Sequence, residues 1–134
     1  MTTSGSVAYL DSSAIVKLIV EETETVALRA FLEAYPEWVS SILARVEVSR
    51  AVRLYGTPAA QQADLVLRAL SSLSIMAQIA ELAGRMEPPR LRSIDAIHLA
   101  TAAVLGPALG VLVTYDIRMA SAARHASLPV ASPV

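Results

Sequence analysis

The chain contains no cysteine among its 134 residues. That absence excludes disulfides and thiolate-held metals and is compatible with a reducing compartment. Histidine occurs twice, so a bound metal would have to be held by oxygen or by those imidazoles. No stretch approaches the roughly 18 uninterrupted apolar residues of a membrane-spanning helix. The apolar run near the N-terminus is broken by Asp11 and Lys17 and has no basic segment ahead of it, unlike a signal peptide. A strong net charge is also missing: the balance is −1, which argues against a strongly basic nucleic-acid binder.

What is present begins with apolar residues, 54% of the chain, above the usual range of about 45–50%. Part of that surface is expected to meet another chain. The length predicts one domain spanning residues 1–134, large enough to bury roughly two thirds of the surface its unfolded chain exposes. All the basic residues except Lys17 are arginines, the side chain that pairs with phosphate through a planar fork. With Asp11, Glu47, Asp95 and Asp116 set aside, 11 basic residues face 8 acidic ones.

Strand and helix patterns alternate along the chain. SVAYL is β-prone and precedes SSAIVKLIV, whose helical spacing opens on serines suited to capping. TETVALRAFLEAY, residues 23–35, spaces Val26, Leu28, Phe31 and Leu32 on one face and ends at Pro36. EWVS predicts a second strand, followed by the helix ILARVEVSRAVRLY to Gly56. The next helix has Thr57 as cap and Pro58 in first helical position. SLSIM predicts a weak third strand, QIAELAGRM a helix broken by Pro88 and Pro89, and Ser93 the cap of a helix over 94–105. GVLVTY is the clearest strand, with its β-branched apolar run. DIRMASAARHA predicts a last helix and LPVAS an edge strand. The alternation implies a three-layer α/β/α sandwich around a parallel sheet of four to five strands, with ligands expected at the strands' carboxyl ends.

Four acidic residues fall at that edge. Asp11 and Asp116 directly follow strands, Asp95 lies in the first turn of a helix running antiparallel to them, and Glu47 sits less than two turns into the helix leaving strand two. Aspartate is favoured at helix N-termini by capping and by the macrodipole, which explains each position singly but not their conjunction. Glu47, amid Leu43, Val46 and Val48, requires either a partner such as Arg50 or a polar cavity. Carboxylates this close repel unless cations intervene. An all-oxygen set suits Mg²⁺ or Mn²⁺, and the chemistry it performs best is phosphodiester cleavage by metal-activated water.

These segments resemble the PIN-domain nucleases, and within them the VapC-type toxins of toxin–antitoxin pairs, over nearly the whole chain. YLDSSAIVKL resembles the family's first acidic motif, SSILARVEVSRA the segment supplying the glutamate, SIDAIHLATA the third motif and LVTYDIRM the fourth. Where relatives often have asparagine two residues after the first aspartate, this chain has Ser13. The resemblance implies a cytoplasmic, metal-dependent endoribonuclease. It would cut single-stranded segments of RNA, often tRNA or rRNA, leaving 5′-phosphate and 3′-hydroxyl ends. It also implies a homodimer inhibited by a cognate VapB-type antitoxin whose tail enters the acidic cleft. On this basis Asp11 and Asp95 hold the first metal, with Glu47 helping directly or through water. Asp116 supports a second ion, and Ser13 and Thr114 orient the ligands. Arg85, Arg90, Arg92 and Arg118 are candidate RNA-phosphate contacts. His98 shares a helix face with Asp95 but reads as a packed, hydrogen-bonded residue.

Rival enzymes fail on particular residues. Ser13 stands where a haloacid-dehalogenase phosphatase needs its second aspartate, and a receiver domain needs paired acids and a late lysine. An adhesion module with D-x-S-x-S would need serine at Ile15. The remaining alternative is a non-catalytic PIN-like module that docks a basic peptide or RNA in the acidic cleft.

Overall fold

The computed structural model describes residues 5–134. In chain order the elements are β1 (Val7–Leu10), α1 (Ser12–Ile19), α2 (Thr25–Leu32), β2 (Glu37–Ser41), α3 (Leu43–Val52), α4 (Thr57–Ala69), β3 (Ser71–Leu73), α5 (Ala77–Gly84), α6 (Ser93–Val104), β4 (Leu109–Val113), α7 (Ile117–His125) and β5 (Val130–Ala131), with short 3₁₀ turns before α4 and β4. The strands form one parallel sheet in the order β3-β2-β1-β4-β5. None of the described helices is long and apolar enough to cross a membrane.

Alternation along β1 builds the core on both faces. Ala8 and Leu10 pack with Ile15 and Leu18 of α1, Leu28 and Leu32 of α2, Val48 of α3 and Leu67 of α4. Val7 and Tyr9 point the other way, toward Leu99 of α6 and Met119 of α7. The result is the expected α/β/α sandwich, in which each fully buried leucine contributes about 1.5–3 kcal/mol. Gly110 in β4 lies against the chain at Gly5, where an added Cβ would come 2.1 Å from the Gly5 carbonyl oxygen. No larger residue fits without moving that backbone.

Several boundaries differ from the sequence expectation for local reasons. Asp11, not a serine, caps α1, its carboxylate accepting from the Ala14 N–H. Helix α2 starts only at Thr25, because the Thr25 hydroxyl donates to the Lys17 carbonyl and accepts from the Glu22 N–H, holding the preceding residues in a turn. Gly56 takes the cap position of α4, placing Thr57 inside the helix and Pro58 second. Strand β3 comes earlier and is shorter than SLSIM. Helix α5 ends at Gly84, before the proline pair. At α6 the cap position belongs to Arg92, whose extended backbone leaves Ser93 as the first helical residue.

The order of strands locates the site. From β1 the chain moves outward to β2 and β3 on one side, then returns to place β4 on the other. The carboxyl ends of β1 and β4 therefore flank the switch point, where a crevice opens between diverging connections.

Candidate active site

Asp11 lies just past β1 and is only 4% exposed. One carboxylate oxygen accepts from the Ala14 N–H at 3.1 Å and from the Ser13 hydroxyl at 2.6 Å. The other accepts from the Thr114 hydroxyl, beyond β4. These hydroxyls also accept in return: Ser13 from the Tyr115 N–H at 2.9 Å, and Thr114 from the Asp116 N–H at 3.1 Å. Ser13 and Thr114 thus stitch the ends of the two central strands together around one carboxylate. Burial nevertheless dominates and raises the Asp11 pKa, outweighing the opposing bonds from Ser13 and Thr114.

Asp95, in the first turn of α6, is 6% exposed and pairs with Arg92, whose Nε lies 3.0 Å from one oxygen and Nη2 3.4 Å from the other. Asp116 caps α7, accepting from the N–H groups of Arg118 at 2.8 Å and Met119 at 3.2 Å. Its second oxygen lies 3.7 Å from the Arg92 guanidinium. The hydrogen bond to Asp95 raises the Arg92 pKa further. Capping and a place in the same cleft coincide in Asp11 and Asp116, so each is explicable alone as a cap.

Glu47 makes its bond across the site and not to Arg50: its carboxylate lies 2.7 Å from His98 Nε2. His98 is 1% exposed, and its Nδ1 lies 2.7 Å from the Tyr9 hydroxyl. Burial raises the Tyr9 pKa, and the phenol oxygen also accepts the Ser41 N–H at 3.1 Å. Sequence reasoning placed His98 on the Asp95 face but did not assign it to Glu47, and it passed over Tyr9. The available signal was strand alternation, which turns Tyr9 toward α6.

Asp11, Glu47, Asp95 and Asp116 all line one cleft of about 380 Å³, with Ser13, Lys17, Arg92 and His98. Lys17 is engaged elsewhere. It bonds Glu24 at 2.9 Å and Glu22 at 3.1 Å and lies 4.8 Å from the Tyr115 ring centre. Burial opposes its charge, but the two glutamates outweigh that and raise its pKa. An adjoining cleft of about 690 Å³ shares Arg92 and Asp95 and adds Arg90, Ile117, Arg118 and His125. Arg85 lies apart, in a depression beside Met86 and Ile97, so three of the four candidate arginines face one surface.

Among the described residues, no three histidine, aspartate or glutamate side chains stand close enough to enclose a metal ion. The donor set still suits a hard divalent cation: four carboxylates border one cleft, and Mg²⁺ is commonly held by one or two carboxylates with water completing its shell. A cation beside Asp11 would also offset the burial that disfavours its charge.

Residues 8–125 match the PIN domain family model. The chain is 48% identical to Ribonuclease VapC46 of Mycobacterium tuberculosis over 125 residues, which cover 93% of this chain and 96% of that protein. It is 40% identical to Ribonuclease VapC47 of the same species, with the same coverage of each. Among solved structures, a toxin–antitoxin complex from Klebsiella pneumoniae is similar at a TM-score of 0.72 and 25% identity, over 95% of this chain and 98% of that one. Matched along most of its length, and sharing nearly half its aligned residues with a VapC ribonuclease, the chain belongs to the PIN-domain family as a VapC-type ribonuclease, an endoribonuclease toxin of the toxin–antitoxin class.

Proposed function

We propose that this endoribonuclease is Mg²⁺- or Mn²⁺-dependent, cuts single-stranded segments of tRNA or rRNA in the cytoplasm, and is inhibited by a cognate VapB-type antitoxin. The observation that carries the reading is the convergence of Asp11, Glu47, Asp95 and Asp116 on one cleft beside an arginine-bearing one. Asp11 and Asp95 would hold the first ion, Glu47 would assist directly or through water, and Asp116 would support a second. When bound, the ions would activate water and neutralise charge at the scissile phosphate.

The chain's own residues do the rest. Ser13 and Thr114 donate to Asp11 and hold its carboxylate in one orientation without cancelling its charge. Arg90, Arg92 and Arg118 would grip phosphates beside the cut, which positions the strand without reading its sequence. Hydrolysis adds the water oxygen to phosphorus and releases the 3′ oxygen, which takes up a proton. An antitoxin tail carrying basic side chains would compete for the same carboxylates. The exposed apolar side chains Val26, Val46, Leu54 and Tyr55 would supply the homodimer surface.

Incubation of the purified chain with RNA and Mn²⁺ tests the reading. Cutting is expected to stop on adding EDTA and in Asp11→Asn. RNA binding without cutting, unchanged by metal, would instead make the cleft a docking module.

A further inference from the structure

Glu47 comes from α3 and His98 from α6, helices that pack on opposite faces of the sheet. Their 2.7 Å contact therefore joins the two helical layers around the sheet's carboxyl edge. Behind it stands Tyr9, which β1 points toward α6, with its ring edge-on to the imidazole at 74° and 5.8 Å between centres. The Ser41 backbone can only donate, so its N–H occupies a lone pair of the Tyr9 oxygen. Given to His98 Nδ1, 2.7 Å away, the phenol proton would complete a one-way chain. With Nδ1 accepting, Nε2 carries the hydrogen that faces the Glu47 carboxylate.

We propose that Tyr9 and His98 are positioning residues that fix the Glu47 carboxylate in the cleft through this ordered chain of hydrogen bonds. Glutamate has the longest and most mobile side chain of the four carboxylates, so it loses the most conformational freedom on being held. Asp11 is held by hydroxyls from α1 and from the end of the adjacent strand β4, and Asp116 by the N-terminus of its own helix. Glu47 sits in the interior of α3 and depends on a partner from the other layer. The tyrosine supplies what a histidine alone lacks, a fixed tautomer and ring orientation.

The proposal rests on the assignment of Glu47 to the metal site, and the experiment separates the two. In the metal-free protein, nitrogen-15 spectra of the imidazoles should show His98 as a single Nε2–H tautomer with a slowly exchanging proton. Tyr9→Phe should convert it to a tautomer mixture. A wild-type His98 that is Nδ1-protonated or averaged would overturn the proposal whatever the metal does. Calorimetric titration with Mn²⁺ should then show His98→Ala and Tyr9→Phe each weakening binding by about 10-fold or more, the size expected of partners that orient a ligand. His98→Gln, which keeps a donor at the Nε2 position, should recover most of the loss. A bare folding role would not predict that rescue. Mn²⁺ affinity unchanged in His98→Ala but weakened in Glu47→Gln would overturn the positioning role. Affinity unchanged in both Glu47→Gln and Asp11→Asn would sink the metal site, and the imidazole spectra would then decide the proposal alone.

Discussion

The two halves of the carboxylate cleft are held by different means. Asp11 and Glu47 are bonded by serine and threonine hydroxyls, a backbone amide and an imidazole, all but Ser13 from buried residues. Asp95 and Asp116, the latter also capping α7, share the Arg92 guanidinium, whose side chain is 67% exposed. Hydroxyls and amides aim a carboxylate while leaving its charge available, whereas a guanidinium both aims and neutralises it. Among the described residues, the first half pairs with no arginine or lysine. The second carries a cation of its own, on a solvent-exposed side chain.

The largest effect should come from breaking the first half at its centre. Asp11→Asn is expected to lower RNA cleavage by more than about 100-fold, beyond the loss typical of residues that only orient a ligand. The same variant should be more stable than wild type in EDTA at neutral pH. Because burial raises the Asp11 pKa, the folded state keeps that proton to higher pH than the unfolded chain. Its contribution to stability is present below the ordinary aspartate range and is lost as pH rises through the raised value. Thermal unfolding across that window should show wild type falling relative to Asp11→Asn, and parallel curves would contradict the buried-charge account.

Next in size is Thr114→Val, which removes a donor to Asp11 and the acceptor for the Asp116 N–H. A stability loss of about 1–3 kcal/mol by chemical denaturation is expected, with cleavage reduced roughly 10- to 100-fold. The second half should respond differently. Arg92→Ala is expected to change stability by less than about 1 kcal/mol, since the pair is exposed on the arginine side. It should tighten Mn²⁺ binding, measured calorimetrically, by freeing Asp95 and Asp116. Weaker Mn²⁺ binding would show that Arg92 organises the acids instead of competing for them. The smallest effects concern the adjoining cleft. Removing Arg90 and Arg118 together should lower the salt dependence of RNA binding by about two phosphate contacts, and Arg85→Ala should leave the slope unchanged.

Much of the architecture was legible because the sheet is parallel and covered on both faces, so short apolar runs alternate with amphipathic helices. Boundaries were less so, since they depended on particular bonds such as the Thr25 hydroxyl to the Lys17 carbonyl. In the site, Asp11, Asp95 and Asp116 could be located from the strand or helix each one borders. Glu47 could be flagged as out of place in an apolar stretch, but its partner could not be named. Arg50 was the near neighbour in sequence, while His98 lies 51 residues away.

The order of residues alone determined that three aspartates sit at strand and helix ends on one edge of a parallel sheet, because capping and alternation are local rules. Only the tertiary structure decided what each carboxylate meets: two hydroxyls joining neighbouring strands, an imidazole from the opposite layer, an arginine bridging two acids. Those pairings depend on how layers pack across the switch point. No periodicity within a segment encodes that geometry.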